Sequence, residues 1–334
     1  MSVLNIALIG SEEFAREMGK KGDSRDIESY VHKEGSGEEA RVLSFLRPLK
    51  HPERLRPLLS VLDVARAGLL EVTGLDPAIG EAMVALGCAG ITSGHAIISQ
   101  GQAGWIDPAQ VRMMLDQAGL AEWEVHEGEV DGHEIRAELF QLHDRASKEM
   151  GELQSSPLIL PVDQHFNVKG VGLVAIGYVQ SGSVSKHDEI EVVPAGEVGV
   201  VRSLQVMDDD VERAVAGDRV GLALRNLREQ TLHRGCMICD PSEGALVRHE
   251  SSSIDLVTAP FQRKSFSEGE VVHAGSDLQF VVGRVATVDG DSITVDWETP
   301  LWIRSDGSSE VLLAQLDAGP MRIMGTAGEI RAIG

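Results

Sequence analysis

Apolar positions in the first half of the chain alternate between strand-like and helix-like spacing. Short apolar runs predict buried strands at residues 3–9, 41–45, 68–72, 96–99 and 123–126. Apolar side chains at helical spacing predict helices at residues 51–64, 77–86, 108–118 and 135–153. Strands that alternate with helices in this way are typical of an α/β layer with a mostly parallel sheet. We therefore predict an α/β domain over residues 1–153.

The pattern changes at residues 154–157 (QSSP). Beyond this point helical periodicity nearly vanishes, and short valine-rich strands recur between glycine-containing turns, which is typical of antiparallel β-barrels. A second break lies near residues 242–248, and the segment after it is again all-β. The predicted fold class is thus α/β plus all-β, with barrels at residues 157–241 and 248–334.

Several sequence pieces in the middle segment resemble domain 2 of elongation factor Tu and of its archaeal and selenocysteine-specific relatives. In order they are residues 161–166 (PVDQHF), the hairpin 170–177, and residues 182–184 (GSV), 188–190 (DEI), 201–206 (VRSLQV), 216–221 (AGDRVG) and 234–235 (RG). The last segment is similar to the third domain of that family, mainly through residues 322–330 (RIMGTAGEI). The resemblance implies a P-loop GTPase-like domain followed by two antiparallel β-barrels.

The first domain departs from this family at its phosphate loop. A GTPase of this class has GxxxxGK[ST] after its first strand, where backbone N–H groups and the lysine hold phosphates and the hydroxyl holds magnesium. Here the chain continues from Gly10 as SEEFAREMGKKGD. Lys21 replaces the hydroxyl residue, and Glu12 and Glu13 take positions where they would repel phosphates.

Two further nucleotide motifs are also missing. Alignment of LRPLKHPERL with the family's DxPGH places Arg47 and Lys50 at the aspartate and glycine of DxxG, and His51 at the water-positioning histidine. The guanine-reading NKxD motif is replaced by residues 99–102 (SQGQ). We therefore expect a degenerate GTPase domain that has lost GTP and magnesium, with no cofactor, no catalytic residue and His51 as a vestige.

The resemblance also implies a pocket on the first barrel for the aminoacylated 3′ end of tRNA. Carried over position by position, its residues are Asp163, Gln164, Phe166, Ile176, Asp218 and Arg219. Phe166 would stack on the terminal base or pack the amino-acid side chain, and Asp163 would face the α-amino group. The alternative is that Phe166 and Ile176 belong to the barrel core and that Asp163 is an acid in a turn.

Arginines are concentrated in the same segment and are candidate phosphate contacts. They are Arg202, Arg225, Arg228 and Arg234. If they share a face, they offer a phosphate-binding surface. The acidic stretch at residues 208–212 interrupts them, so solvated ion pairs are the alternative.

Composition limits the setting in which the protein works. The net charge is -22, and 8 lysines stand against 22 arginines. This acid-rich, lysine-poor composition resembles proteins of salt-accumulating archaea, the alternative being an ordinary acidic cytosolic protein. It disfavours DNA or general nucleic-acid binding. Residues 1–10 lack the basic flank and the cleavage site expected of a signal peptide, and the sequence has no apolar stretch long enough to span a membrane, so a cytoplasmic location is expected.

The cysteines and histidines give no metal site by spacing. Cys236 and Cys239 form a CxxC without a second pair, so we expect two small strand residues. His95 and His273 have no partners at ligand spacing along the sequence. We therefore expect both to be structural, with no metal bound.

Together these features predict an elongation-factor-like protein that binds tRNA or ribosomal RNA through its barrels without hydrolysing GTP, with translation proteins as further partners. One alternative is a protein-interaction scaffold that no longer binds RNA. Another is a surviving GTPase with an atypical phosphate loop.

Overall fold

The computed structural model describes residues 1–99, 104–128, 130–319 and 321–333. The first domain contains the strands β1 (Ser2–Ile9), β2 (Lys20–Ser24), β3 (Ile27–Glu34), β4 (Arg41–Pro48), β5 (Ala67–Val72), β6 (Gly94–Ile98) and β7 (Glu124–Glu127). Its α-helices are α1 (Glu12–Met18), α2 (Arg56–Leu62), α3 (Pro77–Cys88), α4 (Pro108–Gln117) and α5 (Gly132–Leu153), with a 3-10 turn at Gly37–Glu39.

These strands form one sheet in the order β2-β3-β4-β1-β5-β6-β7. Strands β4, β1, β5, β6 and β7 run parallel, whereas β2 and β3 are added to the β4 edge as an antiparallel hairpin. The mostly parallel sheet predicted from the alternating pattern is confirmed.

Both faces of the sheet are covered because the central strand β1 is apolar on both sides. Leu4, Ile6 and Leu8 pack with residues of α1 and α5. Ala7 and Ile9 belong to a second cluster that contains residues of α2, α3 and α4. A strand buried on both faces reads as a continuous apolar run, which is why residues 3–9 were recognisable.

Two local features of this domain differ from the prediction. The helix predicted at residues 51–64 is shorter, because α2 begins only at Arg56, with Pro57 in the first turn where a missing N–H costs nothing. Helix α1 and the hairpin β2–β3 were not predicted. The burial of β2 alternates between partly buried and exposed, so its sequence KKGDS offers no apolar pattern to recognise.

The second domain is a closed barrel. Its strands are β8 (Leu160–Val168), β9 (Gly172–Tyr178), β11 (Glu189–Val193), β12 (Glu197–Val206), β15 (Arg219–Arg225) and β16 (Met237–Cys239). Pairing of β11 with both β12 and β16 closes it. Strand β13 (Asp209–Val211) extends β12, strands β10 (Ser183–Ser185) and β14 (Arg213–Val215) pair separately, and a 3-10 turn covers Glu229–Thr231.

The third domain is a second closed barrel, in the order β17-β20-β19-β18-β21-β22. Its strands are β17 (Leu246–Thr258), β18 (Val271–Ser276), β19 (Gln279–Asp289), β20 (Ser292–Arg304), β21 (Leu312–Ala314) and β22 (Ile323–Ile333). Strand β17 thus begins slightly before residue 248. An α/β domain followed by two antiparallel barrels is the predicted fold class.

The three domains pack on one another through buried contacts. Leu278, Leu312 and Ile323 of the second barrel belong to the same apolar cluster as helices α2 and α3 of the first domain. Within this interface Glu81 is 2% exposed. The backbone N–H and the side-chain Nε of Arg322 donate to its carboxylate at 2.8 and 3.1 Å.

A second junction joins all three domains. The Asp63 carboxylate accepts from Leu278 N–H at 2.9 Å, and Gln180 of the first barrel accepts from Arg66 at 2.6 Å. Burial raises the pKa of Asp63 well above its usual range, and nearby Asp277 acts in the same direction. The domain interfaces are therefore built from specific buried polar contacts as well as apolar side chains.

The two cysteines of the CxxC are buried free thiols beside strand β11. Cys239 ends strand β16 and its Sγ lies 3.8 Å from the Glu191 carbonyl oxygen. Burial raises the pKa of Cys236 to about 11 and that of Cys239 to about 12. Both thiols are protonated at neutral pH and are poor metal ligands or nucleophiles. Within the described residues, none of the helices combines the length and apolar character that a membrane span requires.

Candidate functional site

A cleft of about 850 Å³ lies between the β2–β3 hairpin of the first domain and the outer wall of the first barrel. Four of the six residues proposed for the pocket line it: Gln164, Phe166, Ile176 and Arg219. Val168, Val171 and Val174 add apolar surface around Phe166. The cleft is therefore a largely apolar groove with a few polar groups, which is the usual composition of a small-ligand site.

The register of the barrel explains why these side chains share one surface. Gln164 pairs with Ile176 and Phe166 with Val174 across strands β8 and β9, while Ile176 also pairs with Gly221 of β15. Side chains alternate along a strand, and the intervening residues Leu173, Ala175 and Leu222 fill the barrel core. Phe166 and Ile176 thus lie on the outside, which excludes the alternative that they are core residues.

Gly221 forms part of the floor of the cleft. A Cβ atom at this position would have only Ile176 within 4 Å, at 4.0 Å. The glycine therefore leaves open space where a larger residue would project into the cleft.

The hairpin of the first domain forms the opposite wall and supplies charged groups. The Asp23 carboxylate accepts a hydrogen bond from the Gln164 side-chain amide and lies 3.6 Å from the Arg219 guanidinium. Arg25 also lines the cleft, as do Asp208 of the β12–β13 turn and Asp210 of β13. The wall thus offers both cationic and anionic groups next to the apolar floor.

Asp163 lies outside this cleft. It is 9% exposed and lies 3.3 Å from the Arg234 guanidinium, in a smaller neighbouring cavity of about 350 Å³. Arg234 also pairs with Asp26 of the hairpin at 2.9 Å. Asp163 is therefore not part of the main cleft, where the sequence analysis expected it, because its ion pair with Arg234 holds it at the interface between the domains.

Asp218 is also separate from the cleft. It is 5% exposed, and its carboxylate accepts the Val215 N–H at 2.9 Å, which closes the turn before strand β15. Burial raises the pKa of Asp218 to about 6. The neighbouring Arg219 does point into the cleft and lies over the Tyr178 ring, with its guanidinium carbon 5.9 Å from the ring centroid.

The four candidate phosphate-binding arginines do not form one open surface. Arg234 is engaged at the domain interface, and Arg228 pairs with Glu197. The guanidinium of Arg202 donates to the Val171 carbonyl at 2.8 Å. Arg225 is exposed at the end of β15. The ion-pair interpretation therefore applies to Arg228 and Arg234, and none of the four arginines lines the cleft.

The connection between β1 and α1 occupies the position of a phosphate loop but is only Gly10 and Ser11 long. The Ser11 N–H donates to the Glu71 carboxylate at 2.7 Å, and its hydroxyl accepts from Phe14 N–H. A Cβ at Gly10 would lie 2.9 Å from Cβ of Glu71. The Glu71 carboxylate therefore accepts the hydrogen bond that this N–H group would donate to a phosphate in a nucleotide-binding loop.

The other motif positions are engaged in structural contacts. Arg47 donates to the Gly10 carbonyl at 2.8 Å and to the Glu28 carboxylate at 2.7 Å. Lys50 has a φ of 61°, in the left-handed region that favours glycine, which is the residue that the DxxG motif has at this position. The His51 side chain is 7% exposed, with Nε2 4.0 Å from the Glu81 carboxylate. Burial lowers the pKa of His51. Of the NKxD position, residues 100–102 lie outside the described residues.

Sequence reasoning missed the hairpin half of the site. Asp23 and Arg25 come from a polar stretch without apolar alternation, and no motif connects them with residue 166. Their proximity results from packing of the first domain on the barrel. The sequence contained one local indication, the turn-like SRD at residues 24–26 before the apolar strand β3.

Comparisons with known proteins show which proteins this chain is similar to. The family model of elongation factor Tu domain 2 matches residues 172–239. An uncharacterized protein from Methanocaldococcus jannaschii is 31% identical over 287 residues, which is 85% of this chain and 84% of that protein. The selenocysteine-specific elongation factor of the same organism is 37% identical over 105 residues, covering 31% of this chain and 22% of that factor.

Solved structures show the same fold over the whole chain. The elongation factor SelB from Methanococcus maripaludis, in complex with the GTP analogue GppNHp, has a TM-score of 0.76 at 17% identity and covers 100% of this chain and 81% of its own. A bacterial selenocysteine-specific elongation factor has a TM-score of 0.77 at 18% identity and covers 98% of this chain and 58% of its own.

Proposed function

Since this chain belongs to the family of elongation factor Tu and the selenocysteine-specific elongation factors, we propose that it is a member that does not switch with GTP. In this proposal it binds a translation RNA, with the aminoacylated 3′ end of a tRNA preferred over ribosomal RNA, and acts without GTP or magnesium. The observation that supports it best is the cleft in which Gln164, Phe166, Ile176 and Arg219 converge.

The chemistry of the cleft suits an aminoacylated nucleotide. Such an end has a flat base, phosphodiesters and a cationic α-amino group. Phe166 provides a surface for stacking, which is worth about 1–3 kcal/mol per base. Arg25 and Arg219 provide charge for a phosphate, and the carboxylates of Asp208 and Asp210 provide charge for the amino group.

Loss of the nucleotide switch is supported by the region after β1. Elongation factors switch because contacts with the γ-phosphate order loops that hydrolysis releases. Here the strand-to-helix connection is Gly10-Ser11, and the Glu71 carboxylate engages its N–H group. With this N–H group bonded to Glu71 rather than to a phosphate, the first domain acts as a fixed wall of the cleft.

Binding of fluorescently labelled tRNA, acylated and deacylated, tests the RNA proposal. The titration is done in molar KCl, where phosphate contacts contribute less and the pocket dominates the difference. Phe166→Ala should weaken binding of the acylated form by about 5-fold to 150-fold, which corresponds to one stack. Gly221→Leu should weaken it as well by filling the floor of the cleft.

The matched control is Phe261→Ala, which removes a phenylalanine that is 56% exposed on the second barrel. It should leave the affinity unchanged. Equal affinity of wild type, Phe166→Ala and Gly221→Leu for both forms of tRNA would refute use of the cleft.

Calorimetric titration of GTP with magnesium, in molar KCl, tests the loss of the switch. No heat is expected up to millimolar nucleotide. A saturating signal at micromolar GTP would establish the surviving GTPase with an atypical phosphate loop instead.

A protein-interaction scaffold is the second candidate, favoured by an apolar cleft of about 750 Å³ between helices α3 and α4 and the second barrel. Met83, Met114 and Met321 line it beside the exposed Phe261. Methionine-rich surfaces adapt to protein partners. Translation proteins that co-purify with wild type but not with Phe261→Ala, together with absent RNA binding, would establish this function.

A further inference from the structure

Two histidines and two glutamates meet at the far edge of the first-domain sheet, away from the cleft. His95 lies on β6, Glu124 and His126 lie on the edge strand β7, and Glu138 lies on helix α5. His95 pairs with Glu124 in the parallel register, so Glu124 and His126, two residues apart, face the same side. Helix α5 brings Glu138 onto that side.

His95, which has no partner at ligand spacing along the sequence, thus has partners close in space. His95 Nδ1 lies 3.0 Å from His126 Nε2. Glu138 Oε2 lies 3.4 Å from each of these nitrogens. Because parallel pairing and a helix create this proximity over more than forty residues of sequence, no local spacing could reveal it.

From this geometry we propose that His95, His126 and Glu138, with Glu124 at the rim, bind a divalent transition-metal ion, with zinc as the expected ion. A tetrahedral zinc ion with bonds of about 2.0–2.1 Å holds its ligand atoms about 3.4 Å apart. Of the separations among the three inner atoms, the two to Glu138 Oε2 equal this value at 3.4 Å, and the two histidine nitrogens, 3.0 Å apart, would move apart slightly to bind the ion. Glu124 Oε2 lies 4.0 Å from His95 Nδ1 and completes the set with a small rotation.

Hydrogen bonds among these four side chains do not satisfy every polar atom of the cluster. Only one of two facing imidazole nitrogens donates to the other, and Glu138 Oε2 is buried without a hydrogen-bond partner among the described residues. A cation between the three atoms would satisfy all of them at once. The buried carboxylate oxygen without a hydrogen bond is a second observation, beside the distances, that points to a ligand.

The donor set selects the class of metal. Two imidazole nitrogens with one or two carboxylates suit zinc, cobalt, nickel and iron, whereas magnesium and calcium prefer oxygen ligands alone. The ion reaches the site from solvent, because the side chain of Glu124 is 64% exposed and that of Glu138 37%, although that of His95 is only 3% exposed. Bound there, it would fasten the short edge strand β7 to β6 and α5.

Metal binding is tested on the full-length chain without a histidine tag. After chelator treatment and dialysis, zinc is added in a calorimeter and the metal content is measured by elemental analysis. One ion per chain is expected, with micromolar or tighter affinity, and millimolar magnesium should not compete. Cobalt should give the intense visible absorption of a tetrahedral complex.

The variants are His126→Ala and Glu138→Gln, because the partly exposed side chains of His126 and Glu138 can be changed without opening the core. Each should weaken zinc binding at least about 100-fold, since each removes a direct ligand. Glu127→Gln is the matched control: it changes the next residue of β7, whose side chain faces the opposite side, and it should bind zinc like wild type.

Circular dichroism of the metal-free variants establishes that they are folded. Failure of the wild type to bind one equivalent of zinc, or zinc affinity unchanged in both His126→Ala and Glu138→Gln, would overturn the proposal.

Discussion

Removing the guanidinium of Arg322 is expected to destabilise the protein strongly, because it leaves the carboxylate of Glu81 buried and unpaired. Glu81 is 2% exposed. It accepts from the backbone N–H of residue 322 at 2.8 Å and from the side-chain Nε at 3.1 Å. His51 Nε2 lies 4.0 Å from this carboxylate, but burial lowers the pKa of His51, so the imidazole does not replace the guanidinium as a positive charge at neutral pH. Breaking a buried pair of this kind costs about 3–5 kcal/mol.

The measurement is urea denaturation of Arg322→Met in molar KCl, followed by tryptophan fluorescence and by circular dichroism. Free energies of unfolding are comparable only if the two probes give the same transition. The double variant Glu81→Leu/Arg322→Met removes both charges from the interface, and it should recover most of the lost stability.

Arg331→Met is the control, because the Arg331–Asp255 pair has side chains that are 53% and 47% exposed. Loss of such a pair should change the free energy of unfolding by about 0–1 kcal/mol. If Arg322→Met costs no more than this control, the pair at the domain interface is effectively solvated. The first domain would then be free to move on the second barrel, and a fixed scaffold would be refuted.

Three further predictions concern stability. With a net charge of -22, the melting temperature should rise markedly from about 0.1 M to about 3 M KCl, and an unchanged value would contradict the halophilic interpretation. Burial raises the pKa of Asp218 from 3.8 to about 6, so stability should fall by about 3 kcal/mol as pH rises between these values. Asp218→Asn, which can still accept the Val215 N–H, should abolish this fall, and an unaltered pH profile would assign it to other groups. Gly68→Ala should lower the free energy of unfolding by about 1–3 kcal/mol and shift the tryptophan emission, because the new Cβ would overlap the Trp123 ring. A variant with wild-type stability and unchanged emission would show that the ring moves freely.

The fold was largely predictable because its decisive patterns are local. Strand β1 is buried on both faces, so its sequence is a continuous apolar run. Helices α3, α4 and α5 are buried on one face, so their apolar residues recur at helical spacing. The ordered barrel pieces carried the family resemblance. The elements that were not predicted are more polar. Strand β2 alternates between partly buried and exposed residues, and the residues of α1 were considered only as a failed phosphate loop.

Half of the candidate site was predictable from the sequence, because those residues belong to one local strand pair. Phe166 and Ile176 lie on one strand pair, where the register fixes their common face. Asp163 and Asp218 are neighbours of site residues along the chain, but an ion pair and a turn hydrogen bond direct them elsewhere. Asp23 and His126 join their clusters through contacts between distant segments, and no spacing along the sequence encodes such contacts.

The apolar cluster that extends from helices α2 and α3 into the second barrel has a consequence for how the chain folds. Leu59 and Met83 share this cluster with Leu278 and Ile323, so neither side can be removed without exposing the other to water. Excision of residues 1–153 should therefore give an aggregating fragment, and limited proteolysis should cleave the intact chain as one cooperative body. The shared cluster thus makes the first domain and the second barrel a single folding unit, in which each supplies part of the other's core.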